Sequence, residues 1–137
     1  MTSLVIDASV ALAWCFDDEA SPQTDAILER VKTRGAVVPS LWHLELANVL
    51  LLAERRGRTI VGGAAARMEL LAQLPIATDT ETAVRAWRET LVLARSERLT
   101  TYDAAYLELA ARRGVPLATR DQELLDAATR IGVQVAL

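Results

Sequence analysis

The chain has 137 residues, 52% of them hydrophobic, with 15 basic and 18 acidic side chains and a net charge of −3. That length and apolar content predict one domain spanning residues 1–137 and exclude disorder. They also exclude a basic nucleic-acid coat, and no apolar run nears the roughly 20 residues of a membrane helix.

No basic region precedes the first apolar residues, so no signal peptide is expected. Cys15 stands alone, which excludes an internal disulfide and a cysteine-based zinc site. A cytoplasmic home follows from these features as an expectation. All basic residues but Lys32 are arginine, whose planar fork suits phosphate. Arg55, Arg56 and Arg58 gather at one predicted helix end, and Arg112 and Arg113 at another. Complementing the helix dipole is the plain alternative for both groups.

The first strand is expected over Leu4 to Ile6, followed by a helix from about Ser9 to Asp18. Ser21 caps the next helix with Pro22 at its first position, and Gly35 ends it. Ala36 to Val38 reads as a second strand, stopped by Pro39. Ser40 is expected to cap a helix reaching Arg56. A further helix is expected from Thr59 to Leu74, weakened at Gly62 and Gly63. Pro75 to Ala77 is the third strand. Thr80 to Arg98 reads as one helix with Val84, Trp87, Leu91 and Ala94 on its inward stripe. Helix Thr101 to Arg113, strand Leu117–Ala118, helix Asp121 to Ile131 and a fifth strand Val133 to Ala136 complete the series. Short apolar strands alternating with helices imply a parallel sheet covered on both faces. Ligands then bind beyond the carboxyl ends of the strands.

Four acids stand in apolar settings: Asp7, Glu45, Asp103 and Asp121. Asp7 ends the first strand, and capping the following helix is its alternative role. Glu45 lies on a greasy helix, with Asn48 three residues on and on the same face. The pair reads as a ligand and its orienting partner, or as a buried hydrogen-bonded pair. Asp103 shares a face with Tyr106, Leu107 and Ala110, although an acid in a first turn also suits the dipole. Asp121 opens a helix, where an acid also serves as a cap. A buried, unpaired carboxylate costs several kcal/mol, and two about 4 Å apart repel by roughly 4 kcal/mol at an effective dielectric near 20. Acids retained together therefore point to a divalent cation. Oxygen-only donors suit Mg²⁺ or Mn²⁺, and His43 as the sole histidine disfavours zinc. No Ser-His-Asp set or glycine-rich phosphate loop is present.

Four segments carry a resemblance in order along the chain. They are Val5-Ile6-Asp7-Ala8-Ser9, Glu45-Leu46-Ala47-Asn48-Val49-Leu50, Leu99-Thr100-Thr101-Tyr102-Asp103-Ala104-Ala105-Tyr106 and Leu117-Ala118-Thr119-Arg120-Asp121. From Leu4 to Val135 the chain resembles the PIN-domain family, and most of all its small VapC-type ribonuclease toxins. The resemblance implies a three-layer α/β/α sandwich with a five-stranded parallel sheet in the order 3-2-1-4-5. It implies a metal-dependent endoribonuclease, the toxin of a type II toxin–antitoxin pair, which hydrolyses RNA phosphodiester bonds. Asp7, Glu45, Asp103 and Asp121 would bind Mg²⁺ or Mn²⁺, Asn48 and Thr119 would orient ligands, and Ser9 would lie beside the site. A homodimer and a cognate antitoxin are implied as partners. Two other readings are an aspartyl-phosphate phosphotransfer protein using Asp7 and a PIN-like interaction module without catalysis.

Overall fold

The centre of the molecule is a two-residue strand. In the computed structural model, which describes residues 3–60 and 62–137, β1 (Val5–Ile6) is fully buried. Met1, Thr2 and Val61, inside the expected domain and the expected helix from Thr59, lie outside that description. On one side Val5 pairs with Val37 of β2 (Ala36–Val38). On the other, Val5 and Ile6 pair with Leu117 and Ala118 of β4 (Leu117–Ala118). Strand β3 (Ile76–Thr78) extends the sheet beyond β2. All pairings are parallel, and the order is β3-β2-β1-β4.

Among the described residues the sheet thus has four strands where five were expected. The last segment contributes a single bridge, Val135 to Leu117. Leu117 donates its N–H to Gln134 and accepts from Ala136, both at 2.9 Å. Because β4 is only two residues long, Leu117 is the only rung it gives that segment.

Among the described residues, eight α-helices connect or follow these strands. They are α1 (Ala8–Cys15), α2 (Pro22–Arg34), α3 (Leu41–Arg55), α4 (Gly63–Ala72), α5 (Thr82–Arg85), α6 (Glu89–Glu97), α7 (Thr101–Arg113) and α8 (Gln122–Arg130). Helix α1 stops at Cys15, and Asp17–Glu19 forms a separate 3-10 turn. Helix α2 has the expected start, a reciprocal Ser21–Thr24 capping box with Pro22 in its first turn. Gly35 follows at φ +76°, where a Cβ would meet the Pro75 carbonyl oxygen at 3.0 Å.

Besides the early end of α1, three further helix boundaries depart from expectation. Ser40 sits before α3 with helical backbone and no side-chain cap bond. Helix α4 starts at Gly63, because Gly62 takes φ +88° and Glu54 accepts the N–H groups of Gly62 and Ala64. The predicted helix over residues 80–98 is two helices, broken at Arg88 (φ −118°, ψ −103°). Across that break Val84 and Trp87 are exposed, and only the later part of the expected stripe faces inward.

Helix α7 is the interior helix. Residues 104–110 are buried without interruption, and Tyr106, Leu107 and Leu109 join the core with Leu4, Val5, Ile6, Leu117 and Leu124. Among the described residues, no helix is long and apolar enough to cross a membrane.

Candidate functional site

Asp7 follows the central strand directly, so its backbone is held by the sheet. Its N–H donates to Ala118 at 3.1 Å. Its carboxylate is buried and accepts three hydrogen bonds. Ser9 Oγ at 2.6 Å and Val10 N at 3.2 Å reach one oxygen, and Thr119 Oγ1 reaches the other. Asp7 is therefore the cap of α1. Ser9, inside that helix, supports Asp7 through its hydroxyl.

A polar chain runs across the strand ends. Arg120 N donates to Ser9 Oγ at 3.0 Å, and Asp121 N donates to Thr119 Oγ1 at 3.0 Å. Ser9 and Thr119 thus connect Asp7 to the loop that carries Asp121. One Asp121 oxygen accepts from Glu123 N at 2.9 Å and Leu124 N at 3.3 Å, capping α8. Asp121 is exposed, and Thr119 is completely buried.

Glu45 comes from α3 and is half-buried. Its partner is Tyr106 of α7, whose hydroxyl donates to Glu45 Oε1. Asn48, the expected partner, is exposed and makes no side-chain hydrogen bond among the described residues. Three residues along α3 place Asn48 toward solvent, whereas the buried Tyr106 ring arrives from a helix 61 positions later. Burial, the Glu45 bond and the charges of Glu45, Asp7 and Asp103 push the Tyr106 hydroxyl far above its usual range. It therefore remains a donor.

Asp103 stands in the first turn of α7, with its N–H on the Thr100 hydroxyl at 3.1 Å. Its own carboxylate has no hydrogen bond among the described residues. Burial, then Asp121, Glu45, Asp7 and Glu123, push it up to about 6. Burial also raises Glu45, offset by Tyr106 and reinforced by Asp7. Burial raises Asp7 against its three hydrogen bonds, with Asp121 adding to the rise. Strand β1, helices α3 and α7, and the start of α8 thus deliver four acids that repel one another.

Several cations are engaged elsewhere. Arg112 bonds Asp79, Glu81 and Glu108, Arg113 bonds Asp79, and Arg58 bonds Asp18 and Glu19. Lys32 pairs with Glu29, Arg120 with Glu19 and Arg130 with Glu97. Among the described residues, no basic group forms an ion pair with Asp7, Glu45, Asp103 or Asp121. The set offers carboxylate oxygen without counter-charge, which suits a hard divalent cation. It is not a closed ligand cage. Among the described residues, no three His, Cys, Asp or Glu side chains are close enough together to hold an ion as they stand. A metal would require these side chains to turn toward it; Glu45 and Asp103 are half-buried and Asp121 is exposed. His43 is exposed, against the Trp42 ring edge, and plays no part in the cluster. Asp126 is exposed as well.

Comparison with known proteins gives a consistent set of matches. The model of the PIN domain matches residues 4–130. Ribonuclease VapC3 of Pyrobaculum aerophilum is 29% identical over 123 residues, spanning 90% of this chain and 92% of that protein. The crystal structure of PAE2754 from Pyrobaculum aerophilum matches with a TM-score of 0.67 and 26% identity, covering 92% of this chain and 86% of that one. The crystal structure of FitAcB from Neisseria gonorrhoeae matches with a TM-score of 0.57, covering 96% and 95%. At 18% identity that last likeness is one of fold alone.

Proposed function

The chain belongs to the PIN-domain family, and from that premise we propose that it is a divalent-metal-dependent endoribonuclease, the toxin of a type II toxin–antitoxin pair. One observation carries the proposal: four mutually repelling carboxylates at the strand ends, none with a cationic partner among the described residues. The similarity to Ribonuclease VapC3 supports RNA as the substrate. The proposal includes a single domain over the whole chain, helices layered on both sheet faces, a cytoplasmic location and a cognate antitoxin. It also includes a homodimer, readable by sedimentation at micromolar concentration. Exposed Leu44, Ile60 and Leu70 supply apolar surface for contacts of these kinds.

Asp7, Glu45, Asp103 and Asp121 would hold Mg²⁺ or Mn²⁺. Bound there, the ion supplies a polarised water and neutralises charge developing on the scissile phosphate. Ser9 and Thr119 fix both oxygens of Asp7, and Tyr106 fixes one oxygen of Glu45. Asp103, with neither oxygen hydrogen-bonded among the described residues, is the carboxylate freest to accept a proton from water. The aspartyl-phosphate reading finds no support in this geometry. Lys32, the sole lysine, pairs with Glu29 instead.

Asp7→Asn keeps the side chain's size and removes its charge. It is expected to abolish Mg²⁺- or Mn²⁺-dependent cleavage of single-stranded RNA while preserving the circular-dichroism spectrum. Near-normal cleavage by this variant would refute the site. Wild-type protein that neither binds Mn²⁺ nor cuts RNA would instead be an interaction module.

A further inference from the structure

Beside the acid cluster, two arginines from distant parts of the chain meet on one carboxylate. Arg58 follows α3, and Arg120 lies between Thr119 and Asp121. Glu19 Oε2 accepts from Arg58 Nη2 at 2.7 Å, and Glu19 Oε1 accepts from Arg120 Nη1 at 3.1 Å. Asp18 also accepts from Arg58, at 2.9 and 3.1 Å. Each oxygen of Glu19 thus serves a different guanidinium. A phosphodiester presents its two non-bridging oxygens in the same way.

The surroundings hold this pair in place. The Arg58 guanidinium lies 3.8 Å from the centroid of the Phe16 ring, and Phe16 is buried. Arg67 lies over the same ring at 5.2 Å and bonds the Cys15 carbonyl and the Thr59 hydroxyl. Arg120 is anchored through its backbone N–H to Ser9, which bonds Asp7. Its neighbours Thr119 and Asp121 belong to the acid cluster itself. The two side chains are only partly covered, 37% exposed for Arg58 and 38% for Arg120. A chain passing over the acids would meet them next.

We propose that Arg58 and Arg120 form a binding subsite for a backbone phosphate of single-stranded RNA flanking the cleaved bond, with Glu19 filling the phosphate's place until RNA arrives. The inference rests on the ribonuclease reading. The exchange makes and breaks no covalent bond. Glu19 releases two guanidinium groups and turns to water, the RNA phosphate takes its place on both, and Asp18 stays on Arg58. Phe16 anchors the 3-10 turn, so a change of the Glu19 side-chain rotamer suffices.

The test uses the full-length protein and a fluorescently labelled single-stranded RNA oligonucleotide, with Ca²⁺ present. Binding is read by anisotropy over a salt series, and Mn²⁺-dependent cleavage is read separately on gels. Arg58→Ala and Arg120→Ala are each expected to weaken binding and, because the two share one phosphate, to lower the slope of log K against log salt by at most roughly 0.7, one single-strand phosphate contact. Arg120→Lys retains the charge and is expected to keep the slope. Glu19→Gln removes the competing charge and is expected to tighten binding about two- to fivefold, the scale of an exposed ion pair. A merely structural salt bridge moves melting temperature and leaves the salt slope alone. Wild-type slopes in both alanine variants of a protein that still cleaves RNA would overturn the subsite and leave the nuclease standing. Weaker binding by Glu19→Gln would also overturn it. Wild-type protein that neither binds nor cleaves RNA removes the nuclease reading and the subsite with it.

Discussion

Tyr106 has no role besides packing except through its single hydroxyl. The ring is buried, and the hydroxyl donates to Glu45. Tyr106→Phe keeps the packing and removes that bond, so Glu45 loses its orientation while the core remains filled. Metal affinity, or RNA cleavage at fixed Mn²⁺, is expected to fall roughly 10-fold or more, as for other residues that orient a metal ligand. Asn48→Ala, at an exposed side chain with no hydrogen bond to Glu45, is expected to cost less. Titration calorimetry with Mn²⁺ ranks the two, and a larger loss from Asn48→Ala would reverse this assignment. The acids themselves stand out in the sequence because an Asp or Glu at the end of an apolar strand or on an apolar helix face contradicts its setting. Tyr106 is not legible as their partner. Its place opposite Glu45 depends on how closely α3 and α7 approach, a distance no local pattern encodes. On α3 alone the same-face residue is Asn48, which is why the sequence points there.

Among elements, the segment after β3 depends on a buried ion network. Asp79 and Glu108 are buried, and Arg112 bonds both, at 2.9 Å to each. Arg112, with Thr82 and Arg113 assisting against burial, holds the Asp79 carboxyl well below the usual range. Asp79 also accepts from Glu81 N and Thr82 Oγ1, fixing the start of α5. Arg112→Gln leaves buried Glu108 without its cation and Asp79 with Arg113 alone, and is expected to destabilise the fold by about 3 kcal/mol, read as a lower urea midpoint. An unchanged midpoint would show the network to be dispensable. This anchoring accounts for the broken helix. The start of α5 is fixed by Asp79 at the end of β3, whereas α6 packs along α7. One straight helix would have to meet both demands, and the break at Arg88 resolves them. A single helical period drawn through residues 80–98 therefore misplaces Val84 and Trp87. Elements with local signals, such as the Ser21–Pro22 start of α2, are read correctly. The fifth strand fails because its length depends on its partner, and β4 has one rung to give.

For the whole molecule, the acid cluster opposes folding at neutral pH, and a metal ion should reverse that opposition. Asp103 is pushed up to about 6 from an ordinary value of 3.8, and Asp7 and Glu45 are shifted in the same direction. Between about pH 4 and 6 the folded chain then binds protons that the unfolded chain has released. Stability from these groups rises as pH falls through that window and declines as pH rises through 6. Asp79 acts oppositely. Its lowered carboxyl stabilises the fold above its ordinary value and loses that contribution only in stronger acid. Metal-free protein is therefore expected to melt higher at pH 5 than at pH 7, and Asp103→Asn is expected to flatten that difference. A divalent cation binds the deprotonated acids of the native state alone. Mn²⁺ at about 100 times its dissociation constant should add roughly 2.7 kcal/mol. The gain should shrink at pH 5, where protons compete for the same oxygens. It should also shrink in Asp103→Asn, which has one ligand charge fewer. Thermal melts at both pH values, with and without Mn²⁺, read all of these effects together. A wild-type melting temperature at pH 7 indifferent to saturating Mn²⁺ would mean the four acids do not converge on an ion. A metal-free chain that melts higher at pH 7 than at pH 5 would show that their repulsion is not felt by the fold.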